Sequence, residues 1–137
     1  NPSLEAKSGI FGGWAAAKLG DLDQGLELLQ KSVGALEAIS TEEDFPVYAD
    51  MEAELLALAG RRSQALEVIQ SAIDEAKSTG HLFWLAALHI RKARIQLTLA
   101  PEQARLDLES ACSIADEQHA LRFRREAQEL LEELQRS

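Results

Sequence analysis

Cysteine is almost missing from this chain: Cys112 is the only one in 137 residues. No internal disulfide can form, which excludes a disulfide-stapled scaffold and suits a reducing cytoplasm. Long apolar runs are missing too. The longest, residues 82–88, is far short of the ~20 residues that span a bilayer, and no signal-peptide pattern opens the sequence. Basic residues are scarce: 14 Lys+Arg stand against 23 Asp+Glu, for a net charge of −9. That field repels phosphate backbones and anionic membranes, so autonomous nucleic-acid or membrane binding is not expected. Alternation of apolar and polar residues with β-branching is absent as well, so no strands are predicted.

What is present is a soluble balance, 46% hydrophobic and 27% charged, in a length that suits one domain. A chain of this size buries roughly 68–70% of its unfolded surface and needs no staples. It begins Asn1-Pro2 without Met and is read as one domain, 1–137, cut from a longer protein.

Apolar spacing is helical nearly throughout. Ala65, Leu66, Ile69, Ala72, Ile73 and Ala76 form one broad stripe, as do Leu22, Leu26, Leu29, Val33 and Leu36, and later Ala104, Leu108, Ala111, Cys112 and Ala115. Gly20, Gly60 and Gly80 suit left-handed helix ends, Asp21 or Asp23 and Ser63 suit N-caps, and Pro101 suits a first turn. The breaks predict seven helices at 4–19, 22–39, 46–59, 62–78, 82–98, 102–117 and 121–135. Glu42-Glu43-Asp44 reads as an exposed loop.

The helices pair, and the pairs repeat. Gly13, Ala53 and Ala93 stand forty apart on the first helix of each pair; Gly25, Ala65 and Ala104 stand forty and thirty-nine apart on the second. Small residues at both positions let paired helices approach closely. This grammar is that of a helical solenoid. The predicted fold is therefore all-α, a tetratricopeptide-like α-α superhelix of three helical hairpins with a C-terminal capping helix. Phe123, Ala127, Leu130, Leu131 and Leu134 form that helix's one apolar face.

The sequence also resembles the tetratricopeptide tails of large bacterial regulators. Four stretches carry the likeness: Gly13-Trp14-Ala15 with Gly20 and Gly25; Ala59-Gly60-Arg61 with Gln64-Ala65-Leu66; Gly80, Trp84, Ala87-Leu88-His89 and Arg91 or Lys92; and Ala111 to Ala115, Gln118, Ala120, Arg124 and Ala127. Ala87 stands where the family has an acidic residue, and Ala93 and His119 where it has glycine. In such regulators the tail follows an ATPase core and a class III adenylate or guanylate cyclase domain, or a transcription-factor domain. The resemblance implies regulation and partner recognition, and it brings no catalytic residue.

The chemistry-bearing residues support no enzyme. His81, His89 and His119 never pair at i+3 or i+4, as a helical metal site would require, so no metal or other cofactor is expected. Cys112 and His119 stand seven apart, about 10 Å along a helix and beyond hydrogen-bond reach. Gly12-Gly13 lacks the Gly-Lys-Ser/Thr of a phosphate loop. The basic clusters Arg61-Arg62, Arg91-Lys92-Arg94 and Arg122-Arg124-Arg125 read as solvated faces and ion pairs.

The remaining expectation is a binding groove. Trp14 follows Gly13 as Glu54 follows Ala53 and Arg94 follows Ala93. In that register Ile10, Trp14, Lys18, Asp50, Glu54, Ala57, Ile90, Arg94 and Leu97 line one concave face, with His89 as the alternative to Ile90. Trp14, Lys18, Asp50, Glu54, Ile90 and Arg94 are the candidate binding residues. The partner expected is a protein or peptide, another domain of the parent chain, or a second copy. The competing expectation is a sensory domain that encloses a small-molecule inducer.

Overall fold

The computed structural model describes residues 1–39 and 44–136. Among these residues seven helices run in order: α1 (Pro2–Lys18), α2 (Leu22–Ile39), α3 (Phe45–Leu58), α4 (Arg62–Thr79), α5 (Leu85–Gln96), α6 (Pro101–Gln118) and α7 (Leu121–Arg136). No strand occurs among the described residues. The protein is all-α, as its periodicity predicts. Of the acidic loop, Asp44 is exposed, while Glu42 and Glu43 lie outside the described residues. Among the described residues, no helix is long and apolar enough to cross a membrane.

Most predicted boundaries fall within two residues of the observed ones. The exception is the start of α5, at Leu85 instead of residue 82. Leu82 spends its carbonyl elsewhere, on a 3.1 Å turn bond from the Leu85 N–H and a 2.9 Å bond from the Gln118 side-chain amide. The helix therefore nucleates three residues late.

Helix ends follow the chemistry of the residues there. Asn1 accepts from the N–H groups of Ser3 and Leu4 at 3.0 and 3.3 Å, satisfying two of the orphan donors that open α1. α1, α3 and α6 end alike. The N–H of the residue after the left-handed one returns to a carbonyl five positions back, Asp21 to Ala16 (3.0 Å), Arg61 to Leu56 (2.8 Å) and Ala120 to Ala115 (2.8 Å), the Schellman closure. The left-handed residue is Gly20 (φ 118°) and Gly60 (φ 78°) in the first two closures, and His119 (φ 54°) in the third. A side chain in that region is strained where glycine is not.

The chain forms two compact units, Asn1–Val68 and Ile69–Ser137, and the boundary falls inside α4. In the first unit α1 and α2 are antiparallel and meet backbone to backbone. A Cβ on Gly13 would stand 2.6 Å from the Gly25 carbonyl oxygen and 2.7 Å from the Leu29 nitrogen; one on Gly25 would stand 2.6 Å from the Ala17 nitrogen. The predicted close approach of small residues is present in this hairpin. Ala6, Ile10, Gly13 and Ala17 form the inner face of α1, and Leu26, Leu29, Val33 and Leu36 supply the bulk from α2. α3 touches both helices. In the second unit Ile90, Ala93, Ala104, Leu108, Ala111, Ala127 and Leu130 form one core, with Leu97, Cys112, Phe123, Leu131 and Leu134 packed against it. α7 lies on α6 and touches α5. Its Arg125, Glu129, Glu132 and Glu133 are exposed, so it has the one-faced character expected of a covering helix.

Candidate functional site

Gly13 faces α2, so Trp14, about 100° further round α1, comes to the side that α3 approaches. Lys18 follows one turn later on the same side. Glu54 follows the fully buried Ala53 on α3 and meets both. The Trp14 indole N–H donates to Glu54 Oε1 at 3.0 Å, and Lys18 Nζ donates to Oε2 at 2.8 Å. The ammonium also lies 5.3 Å from the centroid of the Trp14 ring, within cation–π range. One carboxylate thus fixes an indole and an ammonium, one on each oxygen. Trp14 is half-buried and Lys18 exposed, so part of the aromatic surface and the cation meet solvent. Asp50 is half-buried one turn back along α3.

The forty-residue spacing therefore finds three neighbours in the first unit. It misplaces others. Ile10 is 0% exposed: it shares the inner face of α1 with Ala6, Gly13 and Ala17 and serves the core. Ile90 is 3% exposed and packs with Ala93 and Leu108, so it is a core residue and no groove residue. Its alternative, His89, is buried as well. Arg94, on α5, donates to Glu126 of α7 at 2.9 Å, an ion pair within the second unit. Leu97 packs against that unit's core.

The sequence reading missed a buried polar cluster in the second unit. Asp107 of α6 hydrogen-bonds two groups of α5 and forms an ion pair with a third. Its Oδ1 lies 3.0 Å from His89 Nδ1 and 3.6 Å from Lys92 Nζ, and Gln96 Nε2 donates to Oδ2 at 3.4 Å. His89, Gln96 and Asp107 are all buried. The cluster knits α5 to α6 by polar bonds inside an apolar hairpin, where each partner left alone would be costly. A signal for it existed: Asp107 stands three residues after Ala104 and four before Ala111, on the buried stripe.

Burial shifts the titration of Glu52 and Cys112. Glu52 of α3 accepts from Gln30 Nε2 of α2 at 3.1 Å. Burial holds its carboxyl above the ordinary glutamate range; the Gln30 bond works against this, and Glu37 adds to it. Burial also pushes the Cys112 thiol up, opposed by the nearby Arg124 guanidinium. Arg124 bonds Asp116 at 2.8 Å and Gln128 at 2.9 Å, so this basic cluster is partly tied up in ion pairs. Among the described residues, no group of three or more His, Cys, Asp and Glu comes together as a metal site.

Comparison with known proteins adds one relative. The chain is 36% identical over 134 residues to an uncharacterized protein of Rhizobium meliloti (strain 1021); the alignment covers 96% of this chain and 13% of that protein. The chain thus spans about an eighth of the length of the relative it matches. No family model and no solved structure matches the sequence.

Proposed function

We propose that this chain is a non-catalytic protein-interaction segment, a tetratricopeptide-like superhelix of hairpins with α7 as its cap, serving as a regulatory part of a bacterial signalling or transcription protein in the cytoplasm. The repeated Schellman closures and the glycine-to-glycine contact of α1 with α2 support the repeat reading. The match to a small part of a much longer bacterial protein supports the reading as one segment among others. The observation that carries the function is the Trp14–Glu54–Lys18 group. A half-exposed indole, held rigid by a carboxylate and flanked by a cation, is the kind of anchor around which interface energy concentrates. Its partner is a protein or peptide segment that offers an apolar side chain to the ring and an acidic group to Lys18.

The test is quantitative affinity capture from the source cells, comparing the parent chain with Trp14→Ala and Lys18→Glu. A hot-spot tryptophan costs about 2 kcal/mol or more when truncated, so a specific partner should be depleted on both variants. Melting curves should show both still folded. Equal recovery of every bound protein on all three chains would remove the site from consideration.

A further inference from the structure

α3 docks on the first hairpin through one stripe of side chains. Tyr48 makes an edge-on ring contact with Phe11 of α1, 6.2 Å between centroids, and Glu52 accepts from Gln30 of α2 at 3.1 Å. Met51 and Leu55 stand three and seven residues after Tyr48, on the same side of the helix. Tyr48, Met51 and Leu55 are all buried. This is the face by which a helix that opens one repeat sits on the hairpin before it.

The forty-residue step that takes Gly13 to Ala53 takes Ser8, Phe11, Gly12 and Ala15 of α1 to Tyr48, Met51, Glu52 and Leu55 of α3. The four α1 positions lie opposite the inner face that meets α2, and all four are exposed. Leu4 and Leu19, 64% and 88% exposed, lengthen the strip to about 22 Å of helix, with no charged side chain among the six. An exposed apolar strip of this kind marks an interaction surface. Its register identifies what covers it. Position for position it is the docking face of α3, and what α3 docks on is a helical hairpin. Stacked repeats bury on each neighbour the face that one hairpin alone leaves open. The matched relative extends far beyond this segment, so proteins of this kind have further chain to supply such a neighbour.

We propose that the outer face of α1 seats a preceding helical hairpin of the parent chain, as the first hairpin seats α3. The proposal rests on the repeat reading above and not on the Trp14–Glu54–Lys18 group. Ser8, Gly12 and Ala15 are smaller than their counterparts Tyr48, Glu52 and Leu55. The incoming hairpin therefore brings the bulk itself, as large apolar side chains on the helix that meets α1.

The test is maleimide labelling of Ser8→Cys and Met51→Cys, followed peptide by peptide by mass spectrometry, in the 137-residue chain and in the full parent chain. In the 137-residue chain Ser8→Cys should react fast, and Met51→Cys about tenfold or more slowly, because a buried thiol waits on local opening. In the full chain Ser8→Cys should slow to the Met51→Cys rate and stay slow on dilution. It should become fast again when one repeat length of chain before Asn1 is deleted. Gly12→Lys, whose side chain starts in open space, should melt no lower than the parent in the 137-residue chain, yet restore fast labelling of Ser8→Cys in the full chain. Fast labelling of Ser8→Cys in the unaltered full chain overturns the proposal. So does protection that dilution removes, which belongs to a second copy, and protection that survives the deletion or Gly12→Lys, which belongs to another contact. A Met51→Cys that reacts as fast as Ser8→Cys in the 137-residue chain would sink the repeat reading itself, and the proposal with it.

Discussion

Gly12 and Gly13 are adjacent in sequence and opposite in environment, and the same substitution should act on them with opposite sign. An alanine methyl at 13 would lie 2.6 Å from the Gly25 oxygen and 2.7 Å from the Leu29 nitrogen. Comfortable heavy-atom contact begins near ~3.5 Å, and the obstructing atoms are helix backbone that cannot rotate away. The α1–α2 pair must then separate by close to an ångström over its central turns. Forced expansion of a packed core costs roughly 1–3 kcal/mol, of which ~0.5–1 kcal/mol is returned by removing a helical glycine. A net loss of about 1–2 kcal/mol follows, or a fall of several degrees in melting temperature for a domain of this size. At Gly12 the methyl enters open space and only the gain of ~0.5–1 kcal/mol remains, a rise of a few degrees. Thermal unfolding followed by circular dichroism at micromolar concentration measures both. If Gly13→Ala melts at or above the parent temperature, α1 and α2 do not meet backbone to backbone, and the hairpin geometry argued here is wrong.

Three more predictions rest on single sites. Asp107→Ala should cost about 1–3 kcal/mol by leaving His89 and Gln96 without their buried acceptor, and Asp107→Asn should cost less, because its amide oxygen still accepts; equal melting of the two would show that the cluster contributes little. Glu52 has its carboxyl raised by burial, so the folded state binds its proton more tightly than the unfolded chain does. Stability should therefore fall as pH rises from the ordinary glutamate value through the raised one, and urea titrations of Glu52→Gln across that window should lack this component of the slope; a parent whose stability climbs there, with the variant parallel to it, contradicts the assignment. His119→Gly should stabilise the chain by about 1 kcal/mol by relieving a left-handed side-chain residue, read as a higher denaturant midpoint; a lower midpoint would mean that the imidazole has a stabilising role there.

Much of the fold was legible because it is written in local rules. Glycine at 20 and 60 marks helix ends through backbone conformation alone, and the small residues Gly13 and Gly25 mark two helices that meet backbone to backbone. The groove was less legible. Repeat spacing says which residues are equivalent, but not how each helix is turned about its own axis. Trp14 and Glu54 were found because they directly follow Gly13 and Ala53, and Lys18 because it stands one turn after Trp14. Ile10 and Ile90 were misplaced because they lie on the same side of their helix as the small residue that meets the partner helix, and that side is core. α1 is the hardest case, since an apolar inner face and an apolar outer face leave little contrast from which to infer its rotation. Asp107 escapes for a different reason: a charged residue reads as exposed from sequence, although a carboxylate with His89, Lys92 and Gln96 around it is at home on a buried stripe.

The chain has two tryptophans, and they are divided one to each compact unit: Trp14 beside Glu54 in the first, and Trp84, stacked edge-on with Phe83 and Phe123, in the second. Both indoles are half-buried, so each should shift its emission to the red when its own surroundings dissolve. Replacing either by phenylalanine leaves a single built-in fluorophore that watches one half of the molecule. Denaturation curves of the two single-emitter chains would superimpose if α4, which contains the boundary, makes the halves melt as one. They would separate if the halves melt independently. The placement of two side chains thus supplies a direct optical measure of cooperativity along the chain, without any added label.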